Sequence, residues 1–162
     1  MLPEIRTILY ATDLSHRAPR VFRYAMSLAQ RYDARIVIVH AVEPLNPTAR
    51  SMVDLYLDEE TRQRLQTEGQ QRLLARIREQ IELLCNDELC ADPQGRDRVK
   101  EIRIVEDRPA RAILAEAERC GADLIAMGSH GHSAVGEVLL GSTAHRVTQR
   151  AKVPVLLVRE TG

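Results

Sequence analysis

Gly128, Gly131 and Gly141, with Ser142 and Thr143 directly after the last of them, stand in the run GSHGHSAVGEVLLGSTAHRV. Glycine lets backbone N–H groups approach a bulky anion without a Cβ in the way. A helix that starts at Ser142 adds unpaired N–H donors and the positive end of its dipole. The apolar run from Ala122 to Met127 comes just before. A strand, a glycine loop and a new helix start in sequence are the parts of a phosphate cradle.

Other residues admit chemistry too, and each has a plainer reading. Asp13 ends an apolar run and could accept two hydroxyl donors, as a sugar diol supplies. It could equally close the turn that leads into the next helix. Ser142 serves as a helix cap as readily as a phosphate contact, and the two roles share one helix end. His130, His132 and His145 invite a metal, but no Cys or carboxylate stands at ligand spacing, so no metal site is expected. His40 ends an apolar strand and reads as a satisfied core histidine rather than a base. Cys85, Cys90 and Cys120 are odd in number and irregularly spaced, which fits free thiols in a reducing compartment.

These residues must be held by elements, and the chain supplies them in alternation. Ile5–Ala11 reads as a strand, and a helix follows from Pro19 at its first position to Tyr32. Arg35–Val42 is a near-continuous apolar run, as in a parallel strand covered on both faces. Glu43–Arg50, with two prolines and an Asn, is expected to be a loop. A long helix is expected over residues 54–85, weakened at Gly69. Residues 86–98 are expected to form a flexible polar connection. Val99–Val105 is a strand of weaker burial. Pro109 opens a helix that Gly121 closes. Ala122–Met127 is a strand, Ser142–Ala151 a helix, and Val153–Val158 a strand whose Pro154 suits a sheet edge. Five strands alternating with four helices predict an α/β parallel sheet covered by helices on both faces. In such sheets ligands sit beyond the carboxyl ends of the strands, where strand order reverses.

Composition bounds the rest. A chain of 162 residues fits one domain with a real core. Twenty-three basic and 23 acidic side chains give a formal net charge of zero, which argues against nucleic acid or an anionic membrane as partner. No Trp, one Phe and four Tyr argue against a platform for stacking bases. No apolar run is long enough to span a bilayer and no secretory leader is evident, so a cytoplasmic protein is expected.

The segments also resemble a known family. Gly128-x2-Gly131-x9-Gly141-Ser142 resembles the ATP-binding motif of the universal stress protein family. ILYATDLS (8–15), IVIVHAVEP (36–44), GADLIAMGSHG (121–131) and VPVLLVR (153–159) resemble that family's strands, in order and over nearly the whole chain. The resemblance implies a single-domain, open five-stranded parallel sheet of order 3-2-1-4-5, Rossmann-like and similar to the adenine nucleotide alpha-hydrolase fold. It also implies a homodimer joined through strand 153–158.

By the same resemblance Asp13 takes the ribose hydroxyls, and Ala11, Thr12 and Ala41 line the adenine pocket. Met127, Gly128, His130 and Gly131 follow the ribose and first phosphates. Gly141, Ser142, Thr143 and Ala144 hold the outer phosphates. Mg²⁺ can accompany them, held by phosphate oxygens with Asp13 or a hydroxyl. Many members have Pro at the place of Ala11 and a Lys or Arg between the glycine groups, where this chain has Gly136 and Glu137. The acid leaves ADP and AMP as candidates beside ATP. The expected role is nucleotide-dependent regulation of a stress response through a protein partner the sequence does not name. The rivals are an ATP-using enzyme with weak hydrolase activity and a dimeric adaptor that binds no nucleotide.

Overall fold

The computed structural model describes residues 1–89, 92–130 and 140–159. Among them run, in order, β1 (Thr7–Ala11), α1 (Ala18–Tyr32), β2 (Arg35–Val42), α2 (Pro47–Asp54), α3 (Glu59–Leu89) and α4 (Pro93–Arg98). Then come β3 (Val99–Glu106), α5 (Pro109–Arg119), β4 (Leu124–Gly128), α6 (Ser142–Arg150) and β5 (Val155–Val158). All strand pairs are parallel, and the sheet order is β3-β2-β1-β4-β5. This is the order the family resemblance implied.

Continuous apolar strands are possible because both faces of the sheet are covered. Side chains alternate sides along a strand. Ile8 and Tyr10 of β1, with Ile36 and Ile38 of β2, pack beneath α1 and the second half of α3. Leu9, Val37 and Val39 point the other way, beneath α5 and α6. The register aligns Ile8, Leu9 and Tyr10 with Ile36, Val37 and Ile38 on one side and with Leu124, Ile125 and Ala126 on the other. The three central strands thus present two interleaved apolar faces. The edge strand β3 has no fully buried residue, as its alternation predicts. β5 forms the other edge. Pro154 stands just before it, and its carbonyl accepts the Ile125 N–H at 3.0 Å.

Three expectations need correction. The loop foreseen over Glu43–Arg50 gives way at Pro47 to α2, because Asn46 caps that helix by accepting the Thr48 N–H at 2.9 Å. A proline breaks a helix interior but suits its first turn. The long helix foreseen over 54–85 is α3, which starts at Glu59 and runs on to Leu89. The polar connection foreseen over 86–98 is largely helical: Asn86–Leu89 complete α3, and Asp92 caps α4 through the Gly95 N–H at 3.0 Å. Six helices rather than four are therefore present among the described residues. No helix among them is long and apolar enough to cross a membrane.

Candidate functional site

The site begins with how the end of β1 is fixed. The Tyr10 ring packs on Phe22, with centroids 5.4 Å apart, and its hydroxyl donates to the Ala18 carbonyl at 3.0 Å. This ties the start of α1 to β1. Burial pushes the Tyr10 phenol well above its ordinary range, so it stays a neutral donor. The segment between is short and fully specified. Buried Thr12 donates its N–H to the Val39 carbonyl at 3.0 Å and accepts the Leu14 N–H on Oγ1 at 3.0 Å. Its carbonyl meets His40 Nδ1 at 2.8 Å. A carbonyl can only accept, so Nδ1 carries the proton, and this bond holds the half-buried His40 against the end of β1. Asp13 Oδ1 accepts the Ser15 N–H at 2.9 Å, closing a turn. Leu14 between them has a φ of 57°. A left-handed non-glycine residue costs about 1–2 kcal/mol, and such cost gathers beside functional sites.

Across the sheet, β4 ends at Gly128 and the chain turns through Ser129. Ser129 is 3% exposed and works as a clamp. Its N–H donates to the Val158 carbonyl at 3.1 Å, and its own carbonyl accepts the Gly141 N–H at 2.9 Å. Its hydroxyl meets His130 Nδ1 at 2.9 Å. One buried residue therefore fixes the end of β4, the end of β5 and the start of α6 together. Gly141 is the N-terminal flank of α6, with φ −58° and ψ 150°, and no side chain among the described residues caps the helix. The first N–H groups of any helix lack an intrahelical acceptor. Here these are the N–H groups of Ser142, Thr143 and Ala144, because the Gly141 N–H is committed to Ser129.

Between these two ends lies a cavity of about 700 Å³. It sits at the carboxyl rim of the sheet, between β1 and β4, whose onward connections run to opposite edges. Small-molecule sites run to about 300–1,000 Å³ and favour this switch point. Ala11, Thr12 and Asp13 line it from β1, and Ala41 from β2. Met127, Gly128 and His130 line it from β4, and Gly141, Ser142, Thr143 and Ala144 from the start of α6. These are residues the sequence singled out. Gly131, the remaining one, lies outside the described residues, as do His132, Gly136, Glu137 and Cys90. Gly128 needs no left-handed backbone, and its described neighbours leave room for a side chain. A Cβ there would stand 3.4 Å from the His130 carbonyl oxygen and 3.7 Å from Val21 Cγ2, ordinary contacts with the cavity wall.

The Universal stress protein family model matches residues 4–159. The chain belongs to the universal stress protein family. A universal stress protein of Thermus aquaticus, encoded in the QAH/OAS sulfhydrylase 3′ region, is 34% identical over 154 residues, covering 95% of this chain and 98% of that one. Universal stress protein MJ0577 of Methanocaldococcus jannaschii has a solved structure that superimposes with a TM-score of 0.75 at 23% identity, covering 99% of both chains. A universal stress protein crystallised in complex with cAMP superimposes with a TM-score of 0.64 at 25% identity, covering 98% of this chain and 100% of that one.

Other wall residues of this universal stress protein went unread in the sequence. Arg17, Glu43, Ser129 and Pro109 all line the cavity. The Ser129 clamp depends on β5 lying beside β4, which only the sheet order reveals. Arg17 carried a readable signal: a cation four residues past Asp13, at the head of a helix that starts on the rim. Among the described residues no three His, Cys, Asp or Glu side chains gather as a metal site.

Proposed function

We propose that this chain binds an adenine nucleotide (ATP, ADP or AMP) in the cavity at the carboxyl rim, and acts as a cytoplasmic regulator rather than a turnover enzyme. The observation that carries the reading is the start of α6, uncapped among the described residues, within a cavity of nucleotide size and beside a glycine that neither its backbone nor its described neighbours require. Ala11, Ala41 and Val39 offer apolar contact to a base. The Asp13 carboxylate, with two oxygens and several lone pairs, can keep its turn and still accept ribose hydroxyls. Phosphate oxygens take the Ser142, Thr143 and Ala144 N–H groups, aided by the helix dipole. Mg²⁺ would be shared between phosphate oxygens and Asp13 or a hydroxyl; what it supplies is charge neutralisation. The relative crystallised with cAMP lends support from its own ligand.

Regulation follows from the wiring. The Gly141 N–H and the Val158 carbonyl meet on the same serine, so occupancy at α6 is felt at the end of β5. β5 is an edge strand with half-buried Val155, Leu156 and Leu157, and an open edge favours pairing with a second copy. A homodimer through this strand is part of the proposal. Acid release and mass spectrometry of the purified protein test it. Co-purified adenine nucleotide, or a calorimetric titration with AMP, ADP or ATP, supports the reading. No nucleotide and no titration signal contradicts it and favours an adaptor with no such ligand.

A further inference from the structure

Three formally charged side chains line the cavity among the described residues: Asp13, Glu43 and Arg17. Two are acids. The sequence holds no Lys or Arg between Met127 and Ala144 and one acid, Glu137. The glycine run thus brings no cation to a phosphate, and Arg17 is the described wall's only guanidinium or ammonium group.

Its position suits the task. Arg17 flanks the start of α1 with near-helical backbone, φ −87° and ψ −15°. The first helical hydrogen bond runs from the Val21 N–H to the Arg17 carbonyl at 3.3 Å. Val21 is the residue whose Cγ2 would touch a Cβ at Gly128. Residues four apart share one helix face. Arg17 therefore stands about one turn before Val21, and both line the same cavity as Gly128 and the α6 start. Its N–H donates to Ser15 Oγ at 3.3 Å, which fixes the backbone there. Arg17 already has a further interaction of its own. A guanidinium carries five N–H donors, so a phosphate can be added to or exchanged for that partner. Its planar fork matches phosphate oxygens in pairs.

We propose that Arg17 is the phosphate-neutralising side chain of this cavity, and that its single charge fits the site to a nucleoside monophosphate. The inference rests on the adenine-nucleotide reading above and narrows it. One cation and one helix start complement one phosphate group. A metal-free triphosphate would bring further negative charge against Asp13 and Glu43, with no second cation to meet it.

Calorimetry with adenosine, AMP and ATP in EDTA, on wild type, Arg17→Gln and Arg17→Lys, tests this. Wild type should bind AMP more tightly than ATP. Arg17→Gln should weaken AMP by about 10-fold or more, the size of a lost charged hydrogen bond, while adenosine stays within about 2-fold. Arg17→Lys, which keeps the charge but not the fork, should fall between. Circular dichroism checks the fold, and the lysine variant keeps the test alive if the glutamine variant does not fold. AMP affinity untouched by both substitutions, or adenosine falling in parallel with AMP, overturns the role of Arg17. ATP binding more tightly than AMP in EDTA overturns the monophosphate preference. In both cases adenine-nucleotide binding itself survives. Wild type that binds none of the three ligands overturns the functional reading, and this inference with it.

Discussion

The two rims of the sheet use the same kinds of residue for opposite ends. At the amino rim, Asp123 Oδ2 accepts the N–H groups of Arg6 and Thr7 at 2.8 and 2.9 Å, and its own N–H donates to the Thr7 carbonyl at 2.8 Å. Arg35 Nε donates to Thr7 Oγ1 at 2.8 Å, and its N–H to the Arg6 carbonyl at 2.9 Å. Donors and acceptors from β1, β2 and β4 close on one another. At the carboxyl rim, Thr12 and Ser129 are just as tightly tied, but among the described residues the N–H groups of Ser142, Thr143 and Ala144 beside them meet no acceptor. An aspartate closes on backbone N–H groups at each end, Asp123 on those of Arg6 and Thr7 and Asp13 on that of Ser15. What separates the two ends is whether, among the described residues, the neighbouring backbone groups already have partners.

That contrast can be broken in stages. Gly141→Val should have the largest effect. Its φ of −58° suits any L-residue, so the fold should persist, yet the side chain would stand at the mouth of the α6 start. Nucleotide binding should disappear by calorimetry while the melting temperature stays near wild type. Asp13→Ala should weaken nucleotide binding by about 1–3 kcal/mol, the scale of charged hydrogen bonds, with a smaller change in stability. An unchanged titration would remove Asp13 from the site. Asp123→Ala should do the reverse. It orphans the Arg6 and Thr7 N–H groups, costing about 1–3 kcal/mol in denaturant unfolding, and leaves nucleotide affinity per folded molecule unaltered. If Asp123→Ala instead lowered affinity as much as Asp13→Ala, the two rims would not be functionally distinct. Ser142→Ala should be smallest. It removes a hydroxyl but keeps the backbone N–H, so affinity should fall by no more than about 1 kcal/mol.

The sequence made the sheet legible because its signals are local. Short β-branched runs such as Ile36–Val39 favour two-sided strands, and Gly121, with φ 61°, marks the end of α5 by its backbone alone. Local signals also misled. Asn46-Pro47 and Asp92-Pro93 looked like breaks, yet in each pair the first residue caps a helix and the proline opens it. The same dipeptide serves both uses, and the following residues decide. The glycines, Asp13 and the hydroxyl pair were visible because their types announce phosphate and sugar chemistry. Ser129 and Asp123 were not, because each acts across strands distant in sequence. Their roles exist only once β4 lies between β1 and β5.

The central claim is that main-chain amides at the start of α6 grip a phosphate. Amide chemical-shift mapping by NMR reads those groups one at a time. On titration with AMP, the Ser142, Thr143 and Ala144 amides should move most and saturate together, while adenosine should leave them nearly still. AMP that binds with these three amides unmoved would contradict the account.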